Sequence, residues 1–319
     1  MDRRNFIRTT STLLAGARLA PHALGETAGT TAAAGRMVLP INRGWRFSPK
    51  FVQGGHEKTF DDSGFERVVV PHTNKRVPWH GFDEKDYEFV SLYRRPFKLP
   101  AQAKGKRVFV DFEGVMTAST VWINGTRLGE YKGGYTPFSF ELTPHVDWNG
   151  ENLLAVDVDS SERPDIPPFG YEIDYLTFGG IYREVSLRIV PESFIENVFV
   201  QPKDVLTERP FVFVECFVQS PGAGEPLTIE VEILDGDRIL SKGSQHTGPI
   251  VLPQLSRHVK GSGETPTDET PPPSPGAYIV RLGDFHGGIK LWDPQNRNLY
   301  TTRVRLLRGA QVIDEESRR

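Results

Sequence analysis

Thr120-Val-Trp-Ile-Asn-Gly-Thr-Arg-Leu-Gly-Glu-Tyr131 is the stretch whose reading decides the fold. An extended run ends at Ile123, Asn124-Gly125 follows, and a second extended run returns. An Asn-Gly pair tolerates positive φ at both central turn positions, which the two-residue β-hairpin requires. Strand-like runs flank this hairpin: Arg107–Glu113 before it, and Phe138–Leu142, Asn152–Val158 and Ile181–Ile189 after it. Amphipathic 3.6-residue periods last no more than about two turns, so helices are expected only as connectors. An antiparallel sheet has to cover its apolar face, and the chain from Met37 is therefore predicted to be a sandwich of two sheets.

A second set of strands begins near Phe194. It comprises Ile195–Val200, Phe211–Val218, Leu227–Ile233, Ala277–Leu282 and Leu299–Leu307, with Asp235-Gly236 turning the third strand into Arg238. About 110 residues with strands at this spacing resemble an immunoglobulin-like sandwich, without the cysteine pair of antibody domains. The expectation is an all-β chain: residues 36–191 as one sandwich domain, 192–310 as a second, and a charged tail, 311–319, that frays. Gly261 to Pro275, rich in Pro, Thr, Ser and Gly, reads as a mobile loop inside the second domain.

Composition narrows the partners. The 319 residues are 38% hydrophobic and 25% charged with a net charge of −3, so no global basic field recruits nucleic acid or anionic lipid. The one cysteine, Cys216, lies in an apolar run and reads as a buried structural thiol. The eight histidines show no metal-ligand spacing, and no metal is predicted from them.

The chain opens Met-Asp-Arg3-Arg4-Asn-Phe6-Ile7-Arg8, followed by a short apolar stretch that Arg18 interrupts. This resembles a twin-arginine export signal, which implies a periplasmic or extracellular protein with no membrane anchor after cleavage. The competing reading is a disordered basic tail. Ala15-Gly16-Ala17, Pro21-His22-Ala23 and Ala32-Ala33-Ala34 each fit a small-residue cleavage site, and residues 1–35 are set aside from the fold. Elsewhere no segment reaches the roughly 18 apolar residues of a membrane helix.

Four segments, in order, carry a family resemblance. They are Leu39-Pro-Ile-Asn-Arg-Gly-Trp45-Arg-Phe47, Phe60-Asp-Asp-Ser-Gly-Phe-Glu-Arg-Val-Val-Val-Pro71-His72-Thr73, Ala118–Gly129 with Gly134-Tyr-Thr-Pro-Phe138, and Gly179-Gly180-Ile-Tyr182-Arg183-Glu-Val185. Together they resemble the galactose-binding-like jelly-roll domain of glycoside hydrolase family 2, the β-galactosidase and β-glucuronidase family. The following sandwich, with Lys290-Leu-Trp292-Asp-Pro294 and Leu299-Tyr300, resembles that family's second domain.

The resemblance implies a carbohydrate ligand, a β-linked glycoside. It also implies a third domain, a (β/α)8 barrel with two carboxylates about 5 Å apart for retaining hydrolysis. The family's acid/base glutamate sits in an Asn-Glu pair. This sequence has no such pair, the chain is expected to stop before the barrel, and no catalytic residue is assigned. Two function classes stay open. One is the non-catalytic N-terminal part of an exported glycosidase whose reading frame is truncated or split, or whose barrel comes from a neighbouring chain. The other is a free-standing periplasmic carbohydrate-binding module or interaction domain.

By resemblance, Asp174 hydrogen-bonds a hydroxyl of the terminal sugar, and in a complete β-galactosidase also helps hold a sodium ion. Otherwise it is a solvated loop carboxylate. Glu88 stands where the family has an asparagine contact, which leaves the glycone unread. Trp79, in Trp79-His80-Gly-Phe82, is the aromatic candidate for a sugar face. Family members often form dimers or tetramers, so a homo-oligomer is a further implied arrangement. His72 is expected to satisfy backbone groups, Arg183 to anchor the domain through a carboxylate, and Trp122 and Trp292 to be core.

Overall fold

The computed structural model describes residues 35–76, 80, 83–167, 178–220, 226–248 and 276–319. The loop expected over 261–275 lies outside the described residues. A first sandwich pairs a four-stranded sheet with a six-stranded one. The four-stranded sheet runs in the order β1 (Met37–Pro40), β10 (Val185–Val190), β5 (Arg107–Phe112), β8 (Phe138–Glu141). The six-stranded sheet runs β3 (Glu66–Val68), β2 (Trp45–Ser48), β4 (Val90–Phe97), β9 (Asn152–Asp159), β6 (Ala118–Ile123), β7 (Thr126–Lys132). All these pairings are antiparallel.

Period-two alternation explains which residues meet inside. Val108, Val110 and Phe112 of β5 and Val185, Leu187 and Ile189 of β10 face Val121, Ile123, Leu154, Val156 and Val158 across one core. Trp45, fully buried, donates from Nε1 to the Ile41 carbonyl at 2.8 Å. The β6–β7 turn has φ of 51° at Asn124 and 85° at Gly125, the positive values that selected this pair. Asn124 is also held in place: its Nδ2 donates to Asn152 Oδ1 at 2.8 Å, and its Oδ1 accepts the Leu153 N–H at 2.9 Å.

The second sandwich stacks β11 (Phe194–Lys203), β12 (Phe211–Gln219) and β15 (Gly276–Leu282) on a four-stranded sheet. That sheet runs β14 (Arg238–His246), β13 (Thr228–Asp235), β16 (Thr301–Arg308), β17 (Gln311–Arg318). Cys216 lies in its core with Val214, Ile229, Val231, Val304 and Leu306, and burial pushes its thiol up to about 12. Helix is confined to three single turns of 3-10 type among the described residues.

The tail expected to fray from residue 311 is instead a strand, β17, paired along its length with β16. Its charge is neutralised by a distant partner. Arg36, just before β1, donates from Nε to Asp314 Oδ1 at 3.0 Å and from Nη2 to Asp314 Oδ2 at 2.6 Å. It also reaches Glu316 at 2.6 Å and the Ile195 carbonyl at 2.5 Å, while the Ile195 N–H donates to Asp314. Asp314 is fully buried, so its charge is stable there only with these partners. Around this clasp, Arg107 and Arg188 lie over the rings of Phe109 and Phe194, and Arg107 bridges Glu141 and Gln219. The two sandwiches therefore share a polar, cation–π seam.

Candidate functional site

One end of the first sandwich gathers the stretches around Asn74, Tyr87, Ser160 and Gly179. Asn74, only 5% exposed, is the hub. Its Nδ2 donates to the Tyr87 carbonyl at 2.8 Å and to Ser160 Oγ at 2.7 Å, and its backbone N–H donates to Gly179 O at 2.9 Å. Ser160 Oγ lies 2.5 Å from Tyr87 O and 2.8 Å from Phe89 O. Two short polar side chains thus tie together the stretch after β3, the stretch before β4, the end of β9 and the approach to β10.

The Gly179-Gly180 pair is a steric requirement of this knot. A Cβ on Gly179 would sit 2.4 Å from both Asn74 Nδ2 and Ser160 Cβ. One on Gly180, whose φ is +116°, would sit 2.5 Å from the His72 carbonyl and 2.9 Å from Tyr93 Oη. The close approach lets Gly180 exchange both backbone hydrogen bonds with Met116, and His72 N–H donate to Ile181 O at 2.7 Å. These backbone bonds take up the turn before β10, so the predicted strand starts at Val185 rather than Ile181.

Beneath the knot, His72 Nδ1 meets Tyr93 Oη at 2.9 Å, with Phe47 against both rings. Burial lowers the His72 pKa and raises that of Tyr93, so both are neutral at pH 7 and serve as packing and hydrogen-bonding groups. Among the described carboxyls whose pKa is displaced, namely Asp61, Glu141, Asp147, Asp165 and Asp293, every displacement is downward. Hydrogen-bond donors are the leading cause in each. A general acid needs the opposite shift, so these groups suit acceptance of hydrogen bonds rather than proton donation.

Of the three sequence candidates, Glu88 is described: it is half-buried between Tyr87 and Phe89, whose carbonyls enter the knot, and it is engaged with a neighbouring group. Asp174 and Trp79 lie outside the described residues. The knot fixes the bases of the segments that carry them, since Asn74 precedes Trp79 and Gly179 follows Asp174. Phe178, 40% exposed, stands at the same rim with its ring 6.5 Å from that of Tyr87. For the sodium ion implied beside Asp174, the described residues offer no group of three or more His, Cys, Asp or Glu. The nearby carbonyls of Tyr87, Phe89 and Gly179 already accept hydrogen bonds.

Other residues depart from expectation. Arg183 is exposed and anchors through the carbonyls of Glu113 and Tyr135 instead of a carboxylate. Trp122 points to the outer face, opposite Val121 and Ile123, where it stacks on His56 at 4.2 Å while His56 Nε2 meets Asp157 Oδ2 at 2.7 Å. Trp292 is not core but 57% exposed. With Leu291, Leu299 and Tyr300 it lines a cleft of about 500 Å³ on the second sandwich, closed below by Val200 and Phe211. Sequence reasoning missed Asn74 and Ser160, and the adjacent glycines were the one visible sign of a crowded backbone.

Residues 57–191 match the family model described as glycosyl hydrolases family 2, sugar binding domain. Over those residues the chain is similar to a family 2 sugar-binding domain. The knot and the hairpin both lie within the matched residues. A β-galactosidase of Thermoanaerobacter pseudethanolicus is 49% identical over 166 residues, which is 52% of this chain and 22% of that protein. A β-galactosidase of Rhizobium meliloti is 28% identical over 276 residues, 86% of this chain and 32% of that protein. The likeness in fold extends to three dimensions. The crystal structure of a Bacteroides uniformis β-glucuronidase superposes with a TM-score of 0.71 at 24% identity, over 88% of this chain and 32% of that one. This likeness carries both sandwiches as a fold. The chain spans between about a fifth and a third of the length of these β-galactosidases.

Proposed function

We propose that this chain is the N-terminal, non-catalytic part of an exported family 2 glycoside hydrolase acting on β-galactosides, β-glucuronides or related glycans. It contributes part of the sugar subsite and supports a catalytic barrel, on the same or a separate chain. The observation that carries the reading is the Asn74–Ser160–Gly179 knot, which lies inside the residues that match the family 2 sugar-binding model. Asp174 accepts a hydroxyl of the terminal sugar, Glu88 supplies a second acceptor, and Trp79 offers an apolar face. Residues 1–35 serve as a leader to the periplasm or beyond.

A second reading, a free-standing carbohydrate-binding module, draws support from the Arg36–Asp314 clasp, because the ion pair ties the start of the first sandwich to the last strand of the second. Isothermal titration of the purified chain with galactose, glucuronate and xylan oligomers separates the two. The first reading expects weak binding, in the range of about 1 mM or weaker, and no release from nitrophenyl glycosides. Micromolar binding by the chain alone favours the second, and hydrolysis by the chain alone refutes both. In a protein that includes a barrel, Asp174→Ala is expected to weaken sugar affinity, and unchanged affinity excludes its role.

A further inference from the structure

Asn-Gly occurs twice in the sequence, at Asn124-Gly125 and at Asn149-Gly150. In such a pair the glycine nitrogen, unhindered by a side chain, can attack the asparagine Cγ, expel ammonia and close a succinimide ring. The fold places the two pairs side by side and in opposite states. Asn152, fully buried, joins them. Its Oδ1 accepts Asn124 Nδ2 at 2.8 Å and the Asp147 N–H at 2.7 Å, and its Nδ2 donates to the Asp147 carbonyl at 2.9 Å.

Asn124 is locked. Its Nδ2 donates to the His145 carbonyl at 2.9 Å as well as to Asn152, and its Oδ1 accepts the Leu153 N–H at 2.9 Å. For Cγ to reach the Gly125 nitrogen the side chain must leave all three partners, and losing them together slows the attack. Asn149 is the reverse: it is exposed, and among the described residues its side chain has no hydrogen-bond partner. The Gly150 N–H, whose nitrogen is the nucleophile of this pair, donates to Asp147 Oδ1 at 2.9 Å, and the same oxygen accepts the Asn149 N–H at 3.0 Å. A Cβ on residue 150 would lie 2.2 Å from Asp147 Oδ2, so the carboxylate fills the space that only a glycine leaves open. The Asn149 and Gly150 N–H groups hold the Asp147 carboxyl below the ordinary range, which keeps it ionised and available as a proton acceptor.

We propose that Asn149 is a site of spontaneous deamidation in the folded chain, that Asp147 takes up the proton of the attacking Gly150 nitrogen, and that the hairpin pair is protected. The bond from the Gly150 nitrogen to Asn149 Cγ forms, the proton passes by way of Asp147 to the departing Nδ2, and the Cγ–Nδ2 bond breaks to release ammonia. Water then opens the succinimide at either carbonyl, leaving aspartate or isoaspartate at position 149.

The purified full chain is held in warm, mildly alkaline buffer, with and without denaturing guanidinium chloride, and its peptides are followed by mass spectrometry with isoaspartate resolved by chromatography. In the folded chain Asn149 is expected to convert at least about ten-fold faster than Asn124, and in denaturant the two are expected to convert at similar rates. Equal rates in the folded chain, no conversion at Asn149 while the unfolded chain converts, or a gap that persists undiminished in denaturant each overturn the inference. Asp147→Asn keeps an oxygen facing the Gly150 N–H but removes the base, and it is expected to slow Asn149 by about ten-fold or more. A rate unchanged or raised in that variant overturns the role of Asp147, and the comparison of the two pairs in the unsubstituted chain stands whether or not the variant folds.

Discussion

Replacing Arg36 with alanine isolates the seam between the sandwiches. The substitution leaves Asp314 fully buried with the Ile195 N–H still donating to it, and it removes the donor to the Ile195 carbonyl. Removing one member of a buried ion pair costs about 3–5 kcal/mol, because the stranded charge keeps its desolvation penalty. At about 2–4 °C per kcal/mol for chains of this order of size, calorimetry is expected to show Tm falling by roughly 6–20 °C. Arg36→Met combined with Asp314→Asn removes both charges but retains an acceptor for the Ile195 N–H, and it is expected to recover about half of the loss or more. Glu316→Ala, which strips the more exposed partner, is expected to cost only about 1 kcal/mol. A loss below about 1 kcal/mol in Arg36→Ala, or a double variant no more stable than the single one, refutes the buried-charge reasoning.

Gly179→Ala forces a Cβ into the knot against Asn74 and Ser160, and chemical denaturation is expected to show about 1–3 kcal/mol of destabilisation, whereas Gly54→Ala, open on every side, tests strain alone. Cys216, its thiol pushed up to about 12 by burial, carries a negligible thiolate fraction at pH 8. It is expected to resist a disulfide reagent in the folded chain and to react once the chain is unfolded. Asp165 is held down at about 2 by Lys132 first and Arg163 second. Because its folded pKa is depressed, the pair's contribution is present above the ordinary carboxyl range and is lost as pH falls from about 4 towards 2. Carboxyl NMR is expected to show that Lys132→Ala moves its midpoint upward, towards the ordinary value.

The sandwich architecture was legible because its signals are local. Alternation places Val108, Val110 and Phe112 on one face whatever lies far away, and Asn124-Gly125 dictates its own turn. The tail was misread because Asp314-Glu-Glu-Ser-Arg-Arg319 looks solvated unless its partner is known, and that partner is 278 residues upstream. Trp292 sits in an apolar run, but that run belongs to a loop outside the strands, so its ring lines a cleft instead of a core. In the candidate site, the glycine pair is the local sign of the crowded backbone that the knot requires. Asn74 and Ser160 gave no local sign, since their value lies in satisfying carbonyls from segments far apart in sequence.

The clasp also changes what counts as a transplantable part. The family match begins at residue 57, yet β1 and β2, which complete both sheets of the first sandwich, lie before it. A chimera assembled at the match boundary would discard those strands. One assembled at residue 36 would carry a cation whose counter-ions belong to the last strand of the neighbouring domain. Grafting this jelly roll onto another protein therefore calls for either the donor's β17 alongside it or a neutral side chain at position 36. In this chain the unit that recombines is the pair of sandwiches, not either one.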